Sequence, residues 1–491
     1  MPWPRLIALA AFLGAIVPAT VSGAEPTSET LRSPAGSGAT AARTTVAASG
    51  GRVVLSWVER LSDQSSGLYT AVLAPDATAW SPATAITAGE DLVINTIDAP
   101  HVVLGTDRHA LAVWLRSTPA GTQAWTAASL DEGLTWGPPQ RLTTETDRQE
   151  FVSISPLPEG RFMAVWLDGR TGDETALYGR VVGSTEPDAL IDDRVCDCCA
   201  IALNAFPDGS LIVIYRDRGT DEIRDMAQAR WRAHEGWTRE TGLPADGWKI
   251  AGCPVNGPAL SRVGAALGLV WFTAADGDPR VVASTSKAAG RGWSVANRLS
   301  GASGAAPVGR PGAALLRNGS LWTSWLEPGG TIALRELRAG GRPDETFYYP
   351  VGATGVPQLA VARDVPGKPA QLLLVHEIAG DSPTTSELVT NRLTLPAPTV
   401  TLADDCGCNP TDETVRGHAL RGEVVSVDAA NERLRISHGE IAGFAPAGER
   451  DVRVDVRLLD VLGAGQPFLA RLEQRDDGDW WLFDVRLLRR R

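Results

Sequence analysis

One pattern recurs along most of the chain, and it limits the fold more than any other feature. A turn rich in glycine or polar residues precedes a run of β-branched and apolar residues, which ends in an aromatic residue or a histidine and a charged loop. Seven such positions follow one another at intervals of 49 to 57 residues: Trp57, Trp114, Trp166, Tyr215, Trp271, Trp325 and His376. Short strands in units of about fifty residues, without long helical periods, are typical of a β-propeller. We therefore expect an all-β fold with seven blades, or six if one terminal unit lies outside the ring.

A second pattern follows two of these runs. SLDEGLTW at 129–136 has the form Ser-x-Asp-x-Gly-x-Thr-Trp, and SKAAGRGW at 286–293 keeps the spacing but has Ala288 in place of Asp131. The aspartate can accept hydrogen bonds from the N–H groups of a tight turn, Gly133 supplies the unusual backbone angles, and the Trp packs between sheets. On these motifs, about residues 30–397 resemble the sialidase-like Asp-box (BNR-repeat) propellers.

The first 24 residues combine one basic residue, a short apolar run and small residues at their end, which is typical of a signal peptide. We therefore expect a periplasmic or secreted protein. The apolar run is too short to cross a bilayer, and no later run approaches that length. The chain has a net charge of −12. Such a charge repels phosphate backbones, so we expect no nucleic-acid partner.

The mature chain divides into a propeller at 25–397, a linker at 398–415 and a small domain at 416–491. Alternating apolar and polar residues in the small domain predict five strands of an OB-like antiparallel barrel.

The stretch RGEVVSVDAANERLRISHGEIAGFAPAG in this domain resembles the periplasmic copper metallochaperone of metal-efflux systems. The resemblance places His438 at the family's metal-binding histidine, and Gly443, Phe444, Pro446 and Ala447 keep the frame. The family's methionine ligands are replaced by Ala445, Gly448 and Arg450. The resemblance thus implies a barrel that has lost its copper site and serves as a structural module or as a docking module for a protein partner.

The sialidase resemblance also implies an arginine triad for a substrate carboxylate, a Tyr–Glu nucleophile pair and an Asp acid/base. The early Phe/Tyr-Arg-Ile-Pro motif that carries the first arginine in that family is absent here. Tyr215 occupies a repeat strand, where packing within a blade explains it. Activity as a sialidase is therefore the less favoured alternative.

Charged residues concentrate in loops that share one face of a propeller, and loops on a rigid scaffold commonly carry function. Either these residues pair with one another between blades, or they bind an anionic or sugar-like ligand. In the second interpretation Asp217, Glu222 and Asp225 are the candidate catalytic carboxylates of a glycoside hydrolase. The candidate ligand-binding residues are Asp168, Arg170, Arg216, Arg218, Arg224, Lys249 and Asn256.

Four of the six cysteines lie in the connections that enter the fourth and fifth units: Cys196, Cys198, Cys199 and Cys253. Adjacent blades bring such connections together, so the four sulfurs are expected to meet. Three interpretations stay open: a disulfide between Cys253 and one member of the cluster, a thiolate site for copper or zinc, or simple packing. The remaining pair, Cys406 and Cys408, follows the last unit.

The leading functional hypothesis from these residues is an exported binding protein whose cysteine-rich rim takes copper or another soft metal. The alternatives are an exo-sialidase-like glycoside hydrolase that acts on an anionic sugar, and a protein-interaction scaffold. The ligand at the rim is therefore a small molecule, a glycan or a metal.

Overall fold

The fold is described from a computed structural model, which shows seven β-sheet blades around a central channel and a closed five-stranded β-barrel. The residues described are 25–36, 41–62, 64–94, 98–105, 108–172, 174–219, 221–300, 306–339, 341–365, 368–380, 386–396, 402–403, 418–428, 431–441, 444–454, 456–459, 462–474 and 478–488. The predicted signal peptide, most of the predicted linker, Cys406 and Cys408 lie outside them. The prediction of an all-β fold with seven blades is confirmed.

Each blade is an antiparallel sheet whose first strand lines the channel. Strand β1 is Thr27–Leu31, and the first three blades are β2 (Ala41–Ser49), β3 (Arg52–Arg60), β4 (Ser66–Leu73) and β5 (Thr84–Gly89); β6 (His101–Leu104), β7 (Ala110–Thr118), β8 (Gly121–Ser129) and β9 (Gln140–Arg141); and β10 (Gln149–Pro156), β11 (Phe162–Asp168), β12 (Ala176–Val181) and β13 (Ala189–Asp192).

The next three blades follow the same plan. They are β14 (Ala202–Ala205), β15 (Leu211–Arg216), β16 (Met226–Arg232) and β17 (Gly236–Glu240); β18 (Ala259–Val263), β19 (Ala266–Thr273), β20 (Arg280–Ala288), β21 (Arg291–Trp293) and β22 (Asn297–Arg298); and β23 (Gly309–Leu315), β24 (Leu321–Glu327), β25 (Thr331–Arg338) and β26 (Arg342–Tyr349). Short 3-10 turns occupy Pro158–Gly160, Ala275–Gly277 and Pro328–Gly330.

The seventh blade closes the ring with both ends of the propeller sequence. Its strands are β27 (Gln358–Arg363), β28 (Gln371–Ala379) and β29 (Ser386–Thr394), and β1 pairs antiparallel with β29 as the outer strand. Because this outer edge pairs a segment from the start of the chain with one about 360 residues later, the ring is held by backbone hydrogen bonds.

The seven repeat positions all lie on the second strand of a blade and are buried. In three blades the indole N–H donates to a carboxylate two residues later, as in Trp57 to Glu59, Trp166 to Asp168 and Trp325 to Glu327, over 2.6 to 2.8 Å. The repeat therefore builds the core between blades, and in these three blades it satisfies the indole N–H within the same strand.

The predicted turn motif lies between β8 and β9. The carboxylate of Asp131 accepts hydrogen bonds from the backbone N–H and the hydroxyl of Thr135, and Gly133 has φ of 91°. The indole of Trp136 donates to the Thr70 hydroxyl in the preceding blade over 3.2 Å. The turn thereby ties neighbouring blades together, as its residues predict.

Three inner strands begin with a bulge that turns a backbone N–H toward the preceding blade. The N–H of Phe151 donates to the Asp98 carboxylate, and that of Arg310 donates to the Asn256 side chain. Both donors have positive φ, 50° and 54°. The third N–H, from Thr44, donates to Glu377 over 3.0 Å. These contacts fix where the inner strands start around the channel.

The small domain is a barrel closed in the order β31-β32-β33-β35-β34. Its elements are β31 (His418–Asp428), β32 (Arg433–His438), β33 (Gly448–Arg453), α1 (Val456–Leu459), β34 (Pro467–Gln474) and β35 (Trp480–Leu488), with β30 (Leu402–Ala403) pairing along β35. The prediction of a small barrel is confirmed.

Two residues of the copper-chaperone resemblance, His438 and Phe444, pack within this barrel. His438 is buried, and its Nδ1 lies 2.8 Å from the Gly439 carbonyl oxygen. Phe444 stacks on His418 and contacts Trp480, with ring centroids 4.2 and 4.8 Å apart. Within the described part of the barrel, no three side chains of His, Cys, Asp or Glu come together as metal ligands. No helix in the described residues is long and apolar enough to span a bilayer.

Candidate functional site

The central channel is a cavity with a volume of about 950 Å³. Its wall is made by the inner strands of the blades. The charged side chains on this wall are five basic residues, Arg262, Arg310, Arg317, Arg363 and Lys368, and three acidic residues, Asp76, Asp364 and Glu377. The channel therefore carries an excess of positive charge in a chain whose net charge is −12.

Three of these arginines, Arg262, Arg310 and Arg317, have no carboxylate partner for the guanidinium among the described residues. The guanidinium of Arg262 donates to the Gly264 carbonyl oxygen over 2.8 Å, and burial lowers its pKa. The side chain of Arg310 forms no ion pair with any described residue, although its backbone is fixed by Asn256. By contrast, Arg363 pairs with Asp76 over 3.0 Å. The uncompensated charge of the channel thus lies on Arg262, Arg310 and Arg317.

The other lining residues are neutral, and they include large apolar residues such as Phe151, Ile201 and Leu359 as well as polar ones. His101 lies on β6, and burial lowers its pKa to about 4, so its imidazole is neutral at pH 7. Ser153, Ser155, Asn204 and Ser261 contribute hydroxyl and amide groups. The wall therefore carries charged donors and neutral polar groups, of which Asn204 and Ser261 already hydrogen-bond to the next blade.

The first part of the predicted rim, around Asp168 and Arg170, is a closed ion-pair network. The Asp168 carboxylate is fully buried and accepts hydrogen bonds from the indole of Trp166 and from the backbone and side chain of Arg170. Arg170 also pairs with Asp188 over 2.8 Å, and its guanidinium lies 4.0 Å from the ring centre of Tyr178. These two residues hold the third blade together.

Arg216 is also buried and spans two blades. Its guanidinium donates to the carbonyl oxygens of Asn256, Arg224 and Phe272 over 2.7 to 3.1 Å. The Asn256 amide donates to Val308, and its oxygen accepts from the N–H of Arg310. Arg216 and Asn256 therefore fix the backbone between the fourth, fifth and sixth blades beside the channel.

Glu222 is the centre of the second rim cluster. Its carboxylate pairs with Arg218 over 3.0 Å, with Arg224 over 2.8 Å and with Arg194 over 3.1 Å. Hydrogen bonds from Arg218 and then Arg224 lower its pKa to about 2. Glu222 is therefore ionised at every pH at which a general acid would have to hold a proton.

The other predicted site residues, Asp217, Asp225 and Lys249, have different surroundings. Asp217 accepts a hydrogen bond from Arg239 over 3.1 Å, and Asp225 accepts from the backbone N–H groups of Asp246 and Trp248. Lys249 is exposed on a neighbouring connection. None of Asp217, Glu222 and Asp225 is on the wall of the channel.

The four cysteines meet as the chain topology predicts. A disulfide joins Cys198 to Cys253, which is the pairing that the disulfide interpretation expects, and Cys196 and Cys199 are free and buried. The Cys196 sulfur lies 3.4 Å from that of Cys199 and 3.7 Å from that of Cys198. Cys198 also lies on the channel wall, so the cluster adjoins the channel.

The two free thiols differ in their electrostatic surroundings. The hydrogen bond between Cys196 and Cys199 is the largest effect that lowers the pKa of the Cys196 thiol, to about 6, with help from the Cys198 N–H and Arg224. The same hydrogen bond and burial raise the pKa of the Cys199 thiol. The pair therefore shares one negative charge that resides on Cys196.

Sequence reasoning missed the channel arginines and Asp98. Nothing in the spacing of Arg262 or Arg310 distinguishes them from the many arginines that pair with carboxylates. Asp98 is buried, and burial raises its pKa to about 7. Its position in the connection entering the second blade is the only signal in the sequence.

Comparison with known proteins gives similarity at the level of the fold. No family model matches the sequence, and no curated protein is similar to it. Several solved structures are similar over most of the propeller. One is an alpha-L-arabinofuranosidase from Fusarium graminearum, with 11% identity, 76% of this chain and 98% of that chain covered, and a TM-score of 0.41.

Two further solved structures show the same level of similarity. A lectin from Burkholderia pseudomallei has 12% identity, covers 71% of this chain and 95% of its own, and has a TM-score of 0.48. A Hadza microbial sialidase has 11% identity, coverage of 72% and 66%, and a TM-score of 0.39. Such distant similarity transfers no activity to this chain.

Proposed function

We propose that this protein binds an anionic carbohydrate in its central channel. The observation that carries the proposal is the charge of the channel wall, where five basic side chains face three acidic ones in a chain with a net charge of −12. A cavity of about 950 Å³ is in the size range of small-ligand sites.

The anionic character of the ligand follows from Arg262 and Arg310. A guanidinium in a partly enclosed site without a carboxylate loses hydration and gains no ion pair. A carboxylate or sulfate group supplies that missing charge and matches the paired N–H donors of arginine. Ligand binding therefore removes an electrostatic cost that the empty channel carries.

The carbohydrate character follows from the neutral groups. Ser153, Ser155, Asn204 and Ser261 place hydroxyl and amide groups on the channel wall, and His101 is neutral there. Such groups donate and accept hydrogen bonds, as sugar hydroxyls do. An acidic sugar combines both kinds of contact.

Titration calorimetry with matched ligands tests the proposal. Glucuronate oligosaccharides should bind and the corresponding glucose oligosaccharides should not, and Arg262→Gln and Arg310→Gln should each weaken binding about tenfold or more. Arg291→Gln, on the exposed outer strand β21, is the matched control and should bind normally. Equal binding of neutral and acidic oligosaccharides, or unchanged binding in both channel variants, would contradict the proposal.

Glycoside hydrolysis is the second candidate and uses the same ligands. The rim carboxylates Asp217, Glu222 and Asp225 are engaged by arginines or backbone N–H groups, which favours binding over catalysis. Product release from a fluorogenic acidic glycoside, abolished by Asp217→Asn, would establish the hydrolase. A metal site that uses all four cysteines requires prior reduction of Cys198–Cys253, because a disulfide sulfur is not a thiolate ligand.

Export to the periplasm or medium, and a protein partner for the barrel, are further parts of the proposal. Cell fractionation tests the first, and recovery of a crosslinked partner by the full chain, lost when the barrel is deleted, tests the second.

A further inference from the structure

The cysteine cluster combines a disulfide with two free thiols in direct contact. The Cys196 sulfur is 3.7 Å from the disulfide sulfur of Cys198 and 3.4 Å from Cys199, and all three are buried. Cys253, the other end of the disulfide, is exposed. The cluster thus links a buried dithiol to a sulfur at the surface.

Arg224 places a positive charge beside the buried sulfur of Cys196. Its Nη1 donates to the Cys196 sulfur over 3.2 Å, and its Nη2 is held by Glu222 over 2.8 Å. A fixed cation beside a sulfur favours the thiolate, which is the form that attacks disulfides. The attacking sulfur of Cys196 and its target, the disulfide sulfur of Cys198, therefore already lie side by side.

We propose that these four cysteines form a thiol–disulfide exchange centre that moves a disulfide between the surface pair Cys198–Cys253 and the buried pair Cys196–Cys199. In the first step the Cys196 thiolate attacks the Cys198 sulfur. A Cys196–Cys198 bond forms, the Cys198–Cys253 bond breaks, and Cys253 leaves as a thiolate that water can solvate and protonate.

The second step completes the transfer. Cys199, after giving up its proton, attacks Cys196, a Cys196–Cys199 bond forms, and Cys198 leaves as a thiolate that takes a proton. Two thiols and one disulfide are present before and after, so the exchange needs no external oxidant or reductant. Its result is a free thiol at the surface on Cys253, which is the point at which an external thiol or disulfide compound would react.

Trapping with an alkylating agent under native conditions, without reductant, tests the exchange. Tryptic cleavage separates Cys253 (peptide 250–262) from the cluster (peptide 195–216) and from Cys406 and Cys408 (peptide 393–416). Wild-type protein should accumulate label on Cys253 together with disulfides within peptide 195–216. Cys196→Ser should label Cys253 more than about tenfold more slowly, because the attacking thiolate is gone.

Cys199→Ser separates the two steps. It should still label Cys253 and should accumulate the Cys196–Cys198 disulfide, because the second attack is absent. The inference is overturned if Cys253 in the wild type stays unlabelled with only the Cys198–Cys253 disulfide present, or if Cys253 is labelled equally fast in Cys196→Ser. Circular dichroism of each variant shows that the propeller is folded during trapping. Oligosaccharide binding is a separate measurement, so either proposal can fail alone.

Discussion

The guanidinium of Arg224 lies 3.2 Å from the sulfur of Cys196, and both residues are buried. A carboxylate, Glu222, holds the other side of the same guanidinium at 2.8 Å. Arg224, a predicted ligand-binding residue of the rim, therefore contacts the Cys196 sulfur instead, and its positive charge acts on the cysteine cluster.

Replacing Arg224 changes the ionisation of Cys196. Arg224→Gln removes one of the contacts that lower the thiol pKa from its ordinary value to about 6, so the pKa rises and the thiolate fraction at neutral pH falls by about half. Thiolate ultraviolet absorbance against pH measures this, with Cys196→Ser subtracted. Arg218→Gln removes another partner of Glu222 without touching Cys196 and is the control. Coincident titrations of Arg224→Gln and wild type would refute the assignment.

Asp98 makes the stability of the propeller depend on pH. Burial raises its pKa from 3.8 to about 7, so in the fold it binds a proton that the unfolded chain has released. The free energy of unfolding therefore falls as pH rises from about 4 to about 7, by about 3 kcal/mol for this group. Asp98→Asn keeps an oxygen acceptor for Phe151 and removes this dependence.

Denaturant titrations of wild type and Asp98→Asn at pH 4, 6 and 8 measure the difference. We expect the variant to gain stability relative to wild type as pH rises and then to keep a constant advantage above pH 7. A parallel pH dependence of the two proteins would show that Asp98 is ionised in the fold.

The turn at Asp131 offers a reciprocal pair of substitutions. Asp131→Ala leaves the Thr135 N–H and hydroxyl without their acceptor and should lower the free energy of unfolding by about 1 to 2 kcal/mol. Ala288 is exposed at the matching position of the 286–293 turn, so Ala288→Asp should add an acceptor and gain about 0.5 kcal/mol. Denaturant unfolding measures both, and a loss of stability in Ala288→Asp would contradict the equivalence of the two turns.

Substitution of Glu327 tests how much the hydrogen bond from the Trp325 indole contributes to stability. The Glu327 carboxylate accepts the indole N–H of Trp325 over 2.6 Å, and burial raises its pKa. Glu327→Ala leaves that N–H buried without an acceptor and should cost about 1 to 3 kcal/mol. Glu327→Gln keeps an acceptor without the charge and should cost little at pH 7. Equal destabilisation in both variants would place the effect in packing rather than in the hydrogen bond.

The sequence by itself determined the blade architecture. The recurrence from Trp57 to His376 places one buried side chain on the second strand of every blade, because a period near fifty residues repeats one supersecondary unit. The alternating pattern of the last 76 residues likewise predicts a barrel, and the position of Cys253 one unit after Cys196 predicts that their connections meet.

Only the tertiary structure decided which polar groups are already paired. Arg170 and Arg262 are the same residue type in similar loops and strands, but Arg170 meets Asp168 and Asp188 whereas Arg262 faces the channel without a carboxylate. The partner of each charged side chain comes from another part of the chain. A local sequence pattern does not show which distant residues the fold brings together. The contact between Cys196 and Arg224 follows the same rule, because the two residues come from different loops.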